Sequence, residues 1–289
     1  MSTENAPGVS MAGTLYIVAT PIGNLDDISA RAIKILASVD VIAAEDTRHS
    51  GRLLQHLAIQ KPMLALHDHN ERDRAASLVD RLAKGESVAL VSDAGTPLIS
   101  DPGFVVVREA RARGFRVSPV PGPCAMVAAL SAAGLPTDRF LFQGFLAAKR
   151  GARRAALEGL ARETATLVFY ESPHRISDFL DDVVDVLGAG REVVVARELT
   201  KSFETFYSGS ASDVRQQVGE DSHGTRGEFV VMVRGADLTA NAPDAVDVDR
   251  MLAMLVAELP VKKVARLVAE LTGLPKNELY QRALRLRED

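Results

Sequence analysis

The sequence predicts an α/β protein whose first half is a parallel, doubly wound sheet. Three observations carry this. Short runs of Val, Ile and Leu recur, helical patterns with stop signals lie between them, and the loops that follow the runs are built from Gly, Pro and small residues. The runs are Leu15 to Ala19, Val39 to Ala44, Met63 to Leu66, Val88 to Val91 and Val117 to Val120, each rich enough in apolar residues to read as a buried strand. Asp26 and Thr47 are placed to cap the helices that follow them. Glu71 to Lys84 and Phe104 to Arg113 carry apolar residues at helical spacing, with Gly85 and Gly114 as stops.

After Pro121, Gly122 and Pro123 the rhythm changes. Longer helices (Cys124 to Ala133, Lys149 to Arg162, His174 to Leu187) alternate with strands at Thr166 to Tyr170, Val193 to Ala196 and Phe229 to Val233. A domain boundary is therefore expected at 121/122, giving α/β domains over 13–121 and 122–236. The stretch Gly235 to Val246 reads as a linker. Beyond it, 246–289 should hold three amphipathic helices, near Asp247 to Glu258, Val261 to Leu271 and Lys276 to Arg287, divided by Pro260 and the Thr272–Pro275 turn.

Composition narrows the function. At 289 residues with 47% hydrophobic content, two domains are the ordinary expectation. Met1 to Ala12 lacks a signal-peptide pattern and no run approaches about 18 apolar residues, so no membrane partner is expected. The single cysteine, Cys124, excludes an intramolecular disulfide and a multi-Cys zinc site and fits a cytoplasmic setting. A net charge of −4 gives no global attraction for nucleic acid, so RNA binding would need a local basic patch.

In an open α/β sheet, ligands bind beyond the carboxyl ends of the strands. Three loops there are unusual: Thr20 to Asp27, Ser92 to Gly103, and Pro121 to Ala125. Small residues let backbone approach a ligand, and a cleft of carbonyls with one carboxylate suits a sulfonium cation carrying an amino-acid tail. No Gly-x-Gly-x-x-Gly, Gly-x-x-x-x-Gly-Lys or Gly-x-Ser-x-Gly pattern accompanies the strands. That disfavours nicotinamide dehydrogenases, P-loop NTPases and α/β-hydrolases.

The segments VATPIGNLDDIS (Val18 to Ser29), AEDTRHSGRLL (Ala44 to Leu54), VSDAGTPLISDPG (Val91 to Gly103), VPGPCA (Val120 to Ala125) and FYESPHR (Phe169 to Arg175) run in order along the chain. With ELTK (Glu198 to Lys201) and GEFVVMV (Gly227 to Val233), they resemble the 16S rRNA (cytidine-2′-O)-methyltransferase family, of the tetrapyrrole methylase-like fold. The resemblance implies a homodimer that uses S-adenosylmethionine in a cleft between two α/β domains. Its substrate would be a cytidine ribose in the decoding region of 16S rRNA, in the 30S subunit or as free RNA. Carried over by position, the donor would touch Pro21, Asp93, Ala94, Gly95, Cys124, Ala125, Tyr170, Leu199, Thr200 and Glu228. Cys124 stands where relatives often have Ser, and Phe203 and Thr205 lie in a stretch that is commonly more polar.

Methyl transfer to a ribose hydroxyl needs alignment and a path for the proton. Candidates are Glu45, Asp46, Arg48 and His49, and Glu171, His174, Arg175 and Lys201, with Glu45, Asp46 and Lys201 the catalytic choices. The alternative for Glu45, Asp46 and Arg48 is helix capping with a local ion pair. Lys149, Arg150, Arg153 and Arg154 would share one face at a helix start, where cations oppose the macrodipole. That location favours a phosphate partner over a merely solvated face. Arg48, His174 and Arg175 complete the expected RNA contacts, the last two at a turn opening a helix. His67 and His69 are too few for a metal, and none is expected. The tail, with Lys262, Lys263, Arg266, Lys276, Arg282, Arg285 and Arg287, resembles a helix-turn-helix that either docks RNA or serves packing. Two other functions stay open: a methyltransferase acting on a tetrapyrrole or other small molecule, and a ligand-sensing DNA-binding regulator.

Overall fold

The computed structural model describes residues 12–67, 70–237 and 248–288. Two compact units make up the chain, Met1–Gly235 and Ala236–Asp289. Among the described residues the first unit holds two five-stranded sheets.

The first sheet comprises β1 (Thr14–Val18), β2 (Val41–Ala44), β3 (Met63–Ala65), β4 (Val88–Val91) and β5 (Arg116–Val120), joined by α1 (Ala30–Ser38), α2 (Thr47–His56), α3 (Glu71–Ala83) and α4 (Phe104–Ala112). Its order is β3-β2-β4-β1-β5, with every pairing parallel. Strand alternation sorts the side chains to two cores. Val41, Ala43, Val88 and Leu90 pack with Leu78 and Leu82 of α3 and Val106 and Ala110 of α4. Ile42, Ala44, Ala89 and Val91 pack with Ala32 and Leu36 of α1 and Leu54 of α2 on the opposite face. Helices therefore cover both faces, as the uninterrupted apolar strands require. Because β1 and β4 are neighbours whose following helices lie on opposite faces, a crevice opens between their carboxyl ends.

The second sheet has β6 (Phe140–Gly144), β7 (Thr166–Glu171), β8 (Glu192–Arg197), β9 (Thr205–Ser210) and β10 (Phe229–Val233), in the order β6-β7-β10-β8-β9. Only β6 and β7 run parallel; the remaining pairings are antiparallel. Odd residues of β7, Leu167 and Phe169, face α6 (Arg150–Leu160), α7 (Ile176–Leu187) and α8 (Ala211–Glu220). Even-numbered Val168 and Tyr170 face α5 (Ala125–Ala133) instead. Three elements escape the sequence reading: β6, β9 and α8. The two strands are the edges of their sheet, and β9 is polar and carries Gly209. For α8 a signal existed, since Ser210 and Asp213 form a reciprocal capping box.

The expected helix caps also need correction. Asn24 caps a short 3-10 turn that contains Asp26, and Ser29 caps α1. Thr47 is the first residue of α2, whose cap is Asp46.

In the second unit α9 (Val248–Val256), α10 (Val261–Thr272) and α11 (Lys276–Glu288) enclose Leu252, Val264, Ala265, Val268, Leu279 and Ala283. Gly273, at φ 73°, ends α10 in the left-handed conformation, and Pro275 precedes α11. The expected start at Asp247, His69, and most of the linker lie outside the described residues.

Candidate active site

The crevice is built by backbone ties among the three Gly and Pro loops. Thr20 and Gly95 exchange two backbone hydrogen bonds, Thr20 N to Gly95 O at 2.8 Å and Gly95 N to Thr20 O at 3.1 Å. Thr96 Oγ1 donates to the Pro123 carbonyl at 2.9 Å, binding the β4 loop to the β5 loop. Asp93 Oδ1 accepts from Asp46 N at 3.0 Å, which adds the β2 loop. Gly95 sits at φ 87°, where an added Cβ would lie 3.2 Å from Ile22 Cγ2. At Gly122 a Cβ would come within 2.9 Å of Ala19 Cβ. Those glycines answer to close approach.

Above the loops lies a cavity of about 430 Å³, within the range of small-molecule clefts. Its walls include Asp93, Ala94, Gly95, Cys124 and Ala125 from the first sheet's loops and Tyr170, Leu199 and Glu228 from the second sheet. Pro21 and Thr200 stand beside it. Pro21 precedes the lining residue Ile22, and Thr200 Oγ1 accepts from Asn24 N at 3.1 Å. Phe145, which the sequence reading missed, also lines it, together with Thr96, Ile99, Ser100 and Asp101 of the Ser92 to Gly103 loop. Leu98 and Ser100, at φ 72° and 69°, hold the left-handed backbone without being glycine, as do Glu198 and Thr200 at 52° and 64°. Such strain gathers at sites that the surrounding structure over-determines.

Tyr170 is the floor. Its hydroxyl accepts from Met126 N at 3.1 Å in the first turn of α5. Burial, then the neighbouring Cys124, pushes its pKa well above the ordinary phenol value. Phe142 and Phe145 meet its ring edge-on, with centroids at 4.9 and 5.6 Å.

The expected catalytic trio separates. Glu45 lines the cavity. Asp46 caps α2 and accepts from the side chain and backbone of Arg48, which hold its carboxyl well below the usual carboxylate range. It is a poor proton acceptor. Lys201 bridges Glu198 and Glu228, each at 2.8 Å; burial lowers its pKa, but those two bonds outweigh burial and the net shift is upward. It stays protonated and ties two loops, with its stem packed where a Gly23 Cβ would fall. Glu171 also lines the cavity, with its side chain fully buried 3.1 Å from Arg175 at the start of α7.

The basic cluster is also corrected. Arg153 is 2% exposed and its guanidinium meets Asp182 of α7 at 2.7 Å, so it cannot reach a phosphate. Arg150 and Arg154 converge on Asp182 and Asp185. These cations stand at the start of α6 because the carboxylates of α7 outweigh the dipole. Arg175 is likewise turned inward, donating to the Leu146 carbonyl at 2.7 Å. Lys149 and His174 remain exposed, and Arg48 is 88% exposed at the side chain while paired to Asp46. His67 Nε2 lies 3.1 Å from Asn70 Nδ2.

Comparison with known proteins decides the family. Residues 14–215 match the model of Tetrapyrrole (Corrin/Porphyrin) Methylases, and residues 242–287 match the RsmI C-terminal HTH domain. The chain belongs to the tetrapyrrole methylase family. Among its relatives, the ribosomal RNA small subunit methyltransferase I of Pseudomonas aeruginosa is 55% identical over 94% of this chain and 97% of that protein. The enzyme of the same name from Haemophilus influenzae is 53% identical over 94% and 96%. Uroporphyrin-III-C-methyltransferase from Thermus thermophilus shares the fold, with a TM-score of 0.55 at 20% identity, over 80% of this methylase and 98% of that chain. The methylase family implies a methyl donor. The cavity fits one, since its small-residue loops bring bare backbone, a carboxylate and an aromatic floor to a single volume.

Proposed function

We propose that this methylase transfers a methyl group from S-adenosylmethionine to the ribose 2′-hydroxyl of a cytidine in the decoding region of 16S rRNA, within the 30S subunit. It would do so as a cytoplasmic homodimer, with 13–121 and 122–236 as the domains flanking the donor and 246–289 as a tail. The observation that carries this reading is the single cavity joining the three Gly and Pro loops to Tyr170, in a chain half identical to enzymes named for small-subunit rRNA. Pro21, Asp93, Ala94, Gly95, Cys124, Ala125, Tyr170, Leu199, Thr200 and Glu228 are the proposed donor contacts.

When bound, the donor supplies an electrophilic methyl group on a cationic sulfur. The protein's part is alignment, exclusion of water and placement of a negative charge near that cation. Glu45 is the proposed proton acceptor or positioning group for the hydroxyl, because of the three predicted catalytic residues it alone lines the cavity. Lys149, Arg150, His174 and Arg48 are the proposed phosphate contacts that remain at the surface.

The test is incubation with methyl-labelled S-adenosylmethionine and, separately, 30S subunits, naked rRNA, a tetrapyrrole and duplex DNA. Label recovered in one ribose of 30S rRNA is the expected outcome. Label in the tetrapyrrole alone would sink the reading.

A further inference from the structure

Phe145 is an anomaly in a chain that is 5% aromatic. It lines the cavity, yet it is 55% exposed. The neighbours show that this exposure is built. Leu146, next in sequence, is buried in the core beneath α6 and α7. The Arg175 guanidinium donates to the carbonyls of Leu146 and Ala147, at 2.7 and 3.4 Å. On the other flank Gly144 is buried and takes φ 62°, and a Cβ there would meet Ser100 Oγ at 3.0 Å. Backbone on both sides of Phe145 is thus fixed, and the ring is held out at the cavity mouth.

Its support is aromatic. Tyr170 meets the ring edge-on at 5.6 Å and 64°, and Phe142 braces Tyr170 in turn at 4.9 Å and 69°. Tyr170 is anchored by its hydrogen bond from Met126 N. A rigid aromatic ring open to solvent, beside a cavity that accepts a methyl donor, matches the π-face of a nucleobase that has left its stack. Ser100 and Asp101, which also line the cavity, offer polar groups on a loop with left-handed backbone at Leu98 and Ser100.

We propose that Phe145 is the stacking platform for the unstacked base of the nucleotide to be methylated. The proposal rests on the rRNA reading above and assigns that substrate's base to a definite subsite. Stacking there would hold the nucleotide out of the RNA helix while its ribose enters the cavity. It would also explain why Arg175 is turned inward, since its bonds to Leu146 and Ala147 set the platform's height.

The experiment uses the full-length protein and an RNA of the decoding-region sequence with fluorescent pyrrolocytosine at the target position, without methyl donor. Wild type should raise the fluorescence as the base leaves its stack. Phe145→Ala should bind the RNA about tenfold more weakly, the size of one lost base–aromatic stack, and give little fluorescence change. Phe145→Trp should restore both. An abasic target should abolish the difference between wild type and Phe145→Ala. Equal fluorescence and affinity in Phe145→Ala and wild type would overturn the proposal, as would a changed oligomeric state with unchanged fluorescence. Failure of wild type to methylate 30S subunits supplied with S-adenosylmethionine would instead overturn the rRNA reading.

Discussion

Gly95 shows how one residue can serve the fold and the cavity together. It exchanges two backbone bonds with Thr20, holds φ 87°, and lies against Ile22 in the cavity wall. Gly95→Ala forces a Cβ into the left-handed region at a cost of about 1–2 kcal/mol and crowds Ile22. Weaker donor binding by calorimetry and a lowered Tm are expected, whereas Gly114→Ala, where an added Cβ meets nothing within 4 Å, should leave donor affinity unchanged. Legibility also varies residue by residue. The three loops were readable because Gly and Pro clusters are local signals. Phe145 gave no comparable signal, since it joins the cavity only when the β4 loop and the end of β6 come together across the two sheets. Asp46 and Lys201 were drawn from acidic and basic motifs, but their partners fix their chemistry, and Glu228 is 27 positions away from Lys201.

Between α6 and α7 a buried carboxylate organises three arginines. Asp182 is fully buried; burial pushes its carboxyl up, but bonds from Arg150, Arg153 and Arg154 prevail and hold it below the ordinary value. A depressed carboxylate contributes its stability above its unfolded pKa and loses it as pH falls through the folded one. Asp182→Asn should therefore cost about 3–5 kcal/mol at neutral pH by stranding Arg153. It should also flatten the acid limb of the stability curve below about pH 4, as followed by urea unfolding across pH. A variant with unchanged stability at pH 7 would show that the pair contributes nothing net. The same elements explain the misread cluster. Spacing along α6 placed its cations on one face correctly, but only α7, packed against that face, supplies Asp182 and Asp185.

For the molecule as a whole, charge has to act locally, because the net charge is −4. In the second unit Arg282 is tied to Asp249 and Glu278, while Lys262 and Lys263 are exposed at the start of α10. If that unit docks RNA, replacing Lys262 and Lys263 together by Glu should weaken 30S binding. The slope of log affinity against log salt should then fall by about one per lost phosphate contact, with donor affinity unchanged. Filter binding over a salt series checks this, and an unaltered slope would leave the unit a packing appendage.

The sequence by itself determined the parallel sheet, the three-helix unit, the Gly- and Pro-rich loops at the strand ends and, through ordered motifs, the methylase family. Each of these is written in contiguous residues, as periodicity, caps and turns. Tertiary structure alone decided which charged side chains remain available for chemistry. Arg175 paired with Glu171 in the cavity wall, Asp182 and Asp185 of α7 paired with Arg150, Arg153 and Arg154, and Glu198 with Glu228 held Lys201. A charge's role depends on what lies within a few ångströms of it, and those neighbours come from distant parts of the chain.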